Sequence, residues 1–187
     1  WPNTPDILTE YLQIGGRAAF QVRAILAATL GTSYGIYGPA FELGEHEPVR
    51  PGSEEYQNSE KYQLRHWDLS SPTSLRPLLP RLNRSRRTHP ALQGSGPTIF
   101  HTVDNPKLLC YSKTSADSSN SVLVVVNLDL DHRQAGWVNL DLKGMGRTED
   151  RAFQVHDELS GSRYLWQGEA NYVEIDPAVI PAHLFRI

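Results

Sequence analysis

Apolar positions along the chain follow two different periods. Up to about residue 95 they recur with helical spacing, and beyond it they alternate or run in short β-branched stretches. Residues 17–30 (RAAFQVRAILAATL), preceded by Gly15-Gly16 and closed by Gly31, predict a helix. Phe20, Ala24, Ala27 and Ala28 share one of its faces, and the small residues suit close packing on a sheet. Residues 33–38 (SYGIYG), apolar, aromatic and bounded by glycine, predict a short buried strand. From 39 to 71 the period disappears. A connection this long is expected to be functional, and Tyr56, Tyr62, Leu64 and Trp67 interleaved in it argue for order. Leu75, Leu78, Leu79 and Leu82 then predict a helix from about 74 to 87. Pro77 fits its first turn, whereas Pro80 requires a kink or a later start. Arg81, Arg84, Arg86 and Arg87 read as a solvated face and a cation-favouring helix end.

After Gly94-Ser95-Gly96-Pro97, eight short runs follow at 98–103, 108–113, 122–127, 136–142, 152–157, 164–167, 172–175 and 183–187, with turn residues between them. Such spacing predicts an antiparallel sandwich. The chain therefore divides into residues 1–95 and 96–187. Helix, short connection and buried strand is the rhythm of a βα barrel, and a lone barrel strand needs parallel neighbours covered on both faces. The first unit holds about a quarter of a (β/α)8 barrel, whose usual length is ~250 residues. The expected fold is an α+β fragment: the last βα elements of a (β/α)8 barrel, incomplete, followed by an antiparallel β-sandwich domain. With its barrel unfinished, the isolated chain is expected to be marginal or self-associating.

Composition narrows the function classes. The net charge of -3 across 187 residues gives no basic excess for nucleic acid and no cationic block for a membrane surface. The longest apolar stretch, around 24–30, is too short to span a bilayer. A single cysteine, Cys110, excludes an internal disulfide framework and fits a reducing, cytoplasmic compartment. The histidines are scattered and no Asp-rich loop suggests calcium, so neither a metal nor another cofactor is expected.

Candidate chemistry begins at the first residues, WPNTPDILTEYL. Locally, Thr4-Pro5-Asp6 can start a helix, with Thr4 as N-cap, Pro5 in the first turn and Asp6 favoured by the dipole. The same residues suit the end of a barrel strand, where (β/α)8 enzymes place their chemistry. Spacing alone leaves both readings open.

NTPDIL, GTSYGIYGPAFELGE, PGSEEYQNSEKYQLR, LNRSRRTHPAL and the terminal PAHLFRI together resemble the C-terminal part of the α-amylase superfamily of retaining glycosidases and transglycosidases. Within it the likeness is to the α-1,4-glucan:maltose-1-phosphate maltosyltransferases, and it covers nearly the whole chain. Most of the superfamily has Asn-His-Asp where this chain has Asn3-Thr4-Pro5-Asp6. The resemblance implies transfer of maltosyl from α-maltose 1-phosphate to the non-reducing end of an α-1,4-glucan, with retention, in glycogen and α-glucan synthesis. It implies that Asp6 is the third carboxylate, a transition-state stabiliser. It also implies that Lys61 and Tyr62, with Glu60 a weaker candidate, contact the donor sugar. Lys61 in solvent and Tyr62 in the core is the alternative for that pair. The nucleophile and acid/base of the superfamily lie on earlier barrel strands, and no residue here matches them. The fragment alone is therefore expected to be inactive, and the full-length protein to be a homodimer. Glu42, Glu45 and Glu54 are expected to be surface carboxylates, and Tyr34 and Tyr37 barrel core. Trp137, Tyr164 and Trp166 read as core or edge cover, and no site is assigned to them. Two rivals remain: a stand-alone carbohydrate-binding β-sandwich module, and another superfamily enzyme of trehalose-forming or amylase type.

Overall fold

The computed structural model describes residues 1–146 and 151–187. Its helical part holds α1 (Glu10–Ile14), α2 (Gly16–Leu30), α3 (Gly38–Glu42), α4 (Leu79–Thr88) and a 3-10 turn at Pro90–Leu92. None of the helices in the described residues is long and apolar enough to cross a membrane. In α2 the residues Ala19, Phe20, Ala24, Ile25 and Ala28 are buried, as the spacing requires. Its first turn is crowded: a Cβ added to Gly15 would lie 2.5 Å from the Ala19 Cβ and 2.6 Å from Leu130 Cδ1, so only glycine fits. The helix of the leucine repeat starts later than its first leucine. It begins at Leu79, which puts Pro80 in the first turn where its missing N–H costs nothing. Leu75, Leu78, Leu79 and Leu82 are all buried.

Two expectations fail here. Residues 33–37 form no strand; they run without ladder partners, and Tyr34, Ile36 and Tyr37 pack half-buried against the core. A parallel strand exists only through hydrogen bonds to its neighbours, and every paired strand described belongs to the antiparallel sheet. The arginines of α4 are not simply a solvated face. Arg81 donates to the carbonyl of Leu159. Arg86 caps the end of α2, donating to the carbonyls of Ala28, of Gly31 at 3.0 Å and of Thr32 at 2.6 Å. One guanidinium thus satisfies orphan carbonyls that the helix leaves open. Arg86→Ala is expected to cost about 1–3 kcal/mol in urea unfolding, and Arg86→Lys to recover only part of it, because an ammonium cannot reproduce the fork.

Among the described residues the sheet has eight strands: β1 (Thr98–Val103), β2 (Leu108–Thr114), β3 (Ser121–Asn127), β4 (Gln134–Asn139), β5 (Phe153–Asp157), β6 (Arg163–Trp166), β7 (Ala170–Ile175) and β8 (Ala182–Arg186). All eight expected runs are present. The order is β6-β5-β8-β3-β2-β1-β4-β7, and every pairing is antiparallel. β1 changes partner along its length, pairing with β2 through residues 98–101 and with β4 through 102–103, so the sheet folds over at this strand. All of β3 is buried because both faces are covered. Val122, Val124 and Val126 meet the helices in one core cluster. Leu123 and Val125 join Val138, Val173 and Phe185 in a second, inside the fold of the sheet. The first cluster runs from Leu8 through α2 and α4 to Leu184, so the sheet supplies the cover that the helical part lacks by itself. Thr29 Oγ1 and Tyr111 Oη, 2.5 Å apart and buried, tie α2 to β2.

One carboxylate locks the sheet's far side. Asp157, at the end of β5, is buried and accepts four hydrogen bonds. Its Oδ1 takes the backbone N–H of Leu159 and of Leu184, both at 3.1 Å. Its Oδ2 takes Ser160 Oγ at 2.6 Å and His183 Nδ1 at 2.9 Å. Burial pushes its pKa up, but these donors, His183 foremost, outweigh burial and hold it below the usual carboxylate value.

Candidate functional site

Asn3 to Leu8 do not start a helix. Thr4 and Ile7 pair backbone to backbone at 3.2 and 3.3 Å around a tight turn, and Thr4 Oγ1 accepts the Asp6 N–H at 3.3 Å. The helix begins later, at Glu10, with Thr9 as N-cap. Asp6 sits exposed at the turn, and the turn itself is pinned from below. Asn3 is buried, donates Nδ2 to Tyr56 Oη at 2.7 Å and accepts the Tyr37 N–H at 2.8 Å. Burial pushes the Tyr56 hydroxyl up to about 12, so it stays protonated there. The Leu8 N–H donates to the Glu54 carbonyl at 2.6 Å, and Gln13 Nε2 bridges the carbonyls of Leu8 and Ser53. The loop on the other side is braced across itself, Val49 N to Glu55 O at 2.8 Å and Gln57 N to Glu47 O at 2.9 Å.

This bracing brings Lys61 onto Asp6. Lys61 Nζ donates to Asp6 Oδ1 at 2.7 Å and lies 3.0 Å from Glu55 Oε1. Held between two carboxylates, the hydrogen bond to Asp6 foremost, the ammonium is raised well above its ordinary pKa. Lys61 in turn holds Glu55 below its own ordinary value, with help from the Tyr62 hydroxyl. Tyr62 is 77% exposed, with its neighbour's ammonium 5.3 Å from the ring centre, so it is not a core plug. The base of this wall is Glu60, which accepts Trp67 Nε1 at 2.9 Å and Tyr37 Oη at 2.8 Å; these two bonds, in that order, lower its pKa. Arg65 stacks 4.0 Å over Trp67 and pairs with Glu45 at 3.1 Å.

The structure thus joins Asp6, Lys61, Tyr62 and Glu60 at one end of the helical part, across 55 residues of chain. Of the carboxylates expected at the surface, Glu54 is exposed, while Glu42 and Glu45 are half-buried and bonded to Ser74 and Arg65. Glu55, Trp67 and the hydroxyl of Tyr37 were not anticipated as part of the site. Glu55 and Trp67 sit in the aperiodic loop and Tyr37 just before it, and the acidic and aromatic residues around SEKY are the trace of this wall in the sequence.

Residues 100–187 match the protein family described as GLGE, C-terminal. The whole chain is similar to curated relatives named α-1,4-glucan:maltose-1-phosphate maltosyltransferase. It is 47% identical to one from Chlorobaculum tepidum over 100% of this chain and 29% of the relative. It is 42% identical to one from Methylacidiphilum infernorum over 100% of this chain and 28% of the relative. The chain therefore spans under a third of the length of these relatives. Among solved structures, a maltogenic α-amylase AmyB from Thermotoga neapolitana superposes with a TM-score of 0.63 over 91% of this chain and 36% of its own, at 12% identity. An α-amylase from Geobacillus thermoleovorans gives 0.60 over 91% and 33%, at 11% identity. These two likenesses are of fold.

Proposed function

We propose that the chain, whose residues 100–187 match the family described as GLGE, C-terminal, forms one wall of the active site of a retaining maltosyltransferase. On this reading residues 1–95 are the end of an α-amylase-type barrel and 96–187 its β-sandwich domain. The observation that carries it is the Asp6–Lys61 pair at 2.7 Å, set beside the exposed ring of Tyr62. Retention needs a nucleophile and an acid/base about 5–5.5 Å apart and passes through an oxocarbenium-like transition state. Those two groups would come from barrel strands outside this chain. Asp6 is bound by Lys61 through Oδ1 alone, which suits it to accept sugar hydroxyls as the ring flattens, an interaction that strengthens in the transition state.

Lys61 orients that carboxylate and has further protons to donate to a donor-sugar hydroxyl, and Tyr62 offers a ring face to the pyranose. Glu60 belongs to the same wall, with its oxygens committed to Tyr37 and Trp67. The substrates would be α-maltose 1-phosphate and α-1,4-glucan, with phosphate released, in a cytoplasmic enzyme assembled as a homodimer. The test is an enzyme of the relatives' full length carrying this segment. Phosphate release from α-maltose 1-phosphate should exceed hydrolysis of starch, and Lys61→Ala should lower kcat/KM by about 10–10²-fold, the worth of one or two charge-assisted hydrogen bonds. Starch hydrolysis exceeding phosphate release would favour an amylase-type enzyme instead.

A further inference from the structure

Lys61 and Tyr62 follow a turn tied to the buried Ser59. The Lys61 N–H donates to Ser59 Oγ at 3.2 Å, and the Tyr62 N–H to the Ser59 carbonyl at 3.0 Å. That turn fixes where the two side chains start, but not where a long ammonium arm or an exposed ring ends. Glu55 supplies the second constraint. Its backbone is anchored on both sides, the N–H donating to Ser53 Oγ at 3.1 Å and the carbonyl accepting the Val49 N–H at 2.8 Å. The preceding carbonyl, of Glu54, accepts the N–H of Leu8, two residues beyond Asp6. Glu54 itself is exposed, whereas Glu55 is half-buried and reaches Lys61 Nζ at 3.0 Å. The Tyr62 hydroxyl hydrogen-bonds the same carboxylate.

We propose that Glu55 is a positioning residue for the donor sugar: by holding both the Lys61 ammonium and the Tyr62 hydroxyl, it presents these two groups to the maltosyl unit in one geometry. The proposal rests on the reading of the protein as a maltosyltransferase and adds the residue that orients its donor contacts. An ammonium carries three protons. Asp6 Oδ1 and Glu55 Oε1 take two of them, so the third has one remaining direction and is left for a sugar hydroxyl. Two carboxylates on one ammonium also leave this trio a net negative charge, which keeps Lys61 from neutralising Asp6 and favours a cationic transition state. Without Glu55, Lys61 closes on Asp6 as a simple pair and its other protons turn to water. Tyr62 regains rotamer freedom that binding must then remove. Glu55 thus acts through Lys61 and Tyr62, not on the reacting atoms.

Kinetics of an enzyme of the relatives' full length carrying this segment test this. Glu55→Ala is expected to lower kcat/KM for α-maltose 1-phosphate about tenfold, chiefly by raising KM, because Lys61 and Tyr62 hold parts of the donor that do not react. Glu55→Gln keeps an acceptor oxygen and should recover part of the loss. Glu54→Gln, one residue away and exposed, should change nothing. In a Lys61→Ala/Tyr62→Phe background, Glu55→Ala should lower kcat/KM less than about twofold, since both of its intermediaries are gone. The proposal is overturned by a full tenfold loss in that background, by a fall in kcat at unchanged KM, or by parent-like kinetics in Glu55→Ala. A second readout needs no turnover and uses the isosteric Glu55→Gln, so it stands whether or not Glu55→Ala folds. Acetic anhydride acylates the uncharged amine, so Lys61, compared with the exposed Lys107 in the same digest, should be labelled about threefold or more faster in Glu55→Gln than in the parent. Unchanged labelling also overturns the proposal. Faster labelling in a protein that releases no phosphate from α-maltose 1-phosphate keeps the hold of Glu55 on Lys61 and removes the maltosyl-transfer reading. Phosphate release by the parent, with Glu55 variants that match it, removes this inference alone.

Discussion

Asp6→Asn is expected to lower maltosyl transfer by about 10²–10³-fold, measured as phosphate release by an enzyme of the relatives' full length carrying this segment. The size follows from the proposed role. An interaction that strengthens as the sugar ring flattens acts on kcat, so kcat and kcat/KM should fall together while KM moves little. The amide keeps the shape of the carboxylate and loses its charge. The fold should not notice. Asp6 is exposed, its pair with Lys61 is open to solvent, and Lys61 keeps Glu55 as a partner at 3.0 Å. Surface pairs of this kind are worth about 0–1 kcal/mol, so the melting temperature should stay within a few degrees of the parent. A variant that folds normally and transfers maltosyl at an undiminished rate would remove Asp6 from the mechanism. Loss of activity together with loss of fold would make Asp6 a structural residue of the turn.

The largest effect on stability is expected at Asp157. Asp157→Ala leaves the buried N–H groups of Leu159 and Leu184, the half-buried His183 Nδ1 and the exposed Ser160 hydroxyl without their common acceptor. Removing one member of a buried, hydrogen-bonded pair costs about 3–5 kcal/mol. For a chain of this length that is a fall in Tm of roughly 6–20 °C, readable by calorimetry or circular dichroism. The pH dependence has a definite sign. Because the folded-state pKa of Asp157 is lowered, its contribution is fully present above the unfolded carboxylate value, about 3.9, and is lost as pH falls through the folded value. The stability gap between the parent and Asp157→Asn should therefore be constant above about pH 5 and narrow progressively below about pH 4. A gap that stayed constant down to pH 2 would show that the carboxylate's charge is not what holds β5 to β8.

Most of the regular structure was legible because its signals are local. The helix at Gly16–Leu30 has apolar residues at helical spacing between glycines, and each sheet run has the β-branched or alternating pattern of a strand. The expected strand at 33–38 carried the same signal and formed no strand, since a ladder depends on a neighbour that composition does not reveal. Thr4-Pro5-Asp6 carried a helix-start signal and became a turn, because Asn3 is held by Tyr56 and Tyr37, from loop and segment far along the chain. Arg81 and Arg86 looked like a solvated face until α2 and the Asp157 corner came within reach of their guanidinium groups.

The candidate site divides in the same way. By itself the sequence determined which groups were available: a carboxylate at Asp6, an ammonium and a phenol at Lys61 and Tyr62, and the periods that build the helices and strands around them. Tertiary structure alone decided that Asp6 and Lys61 meet at 2.7 Å, that Glu55 grips Lys61 from the other side, and that Glu60 bonds to both Trp67 and Tyr37. Periodicity is written residue by residue along the backbone. An ion pair between residues 55 apart depends on the path of an aperiodic loop, which is set by hydrogen bonds and packing that exist only once the chain has closed.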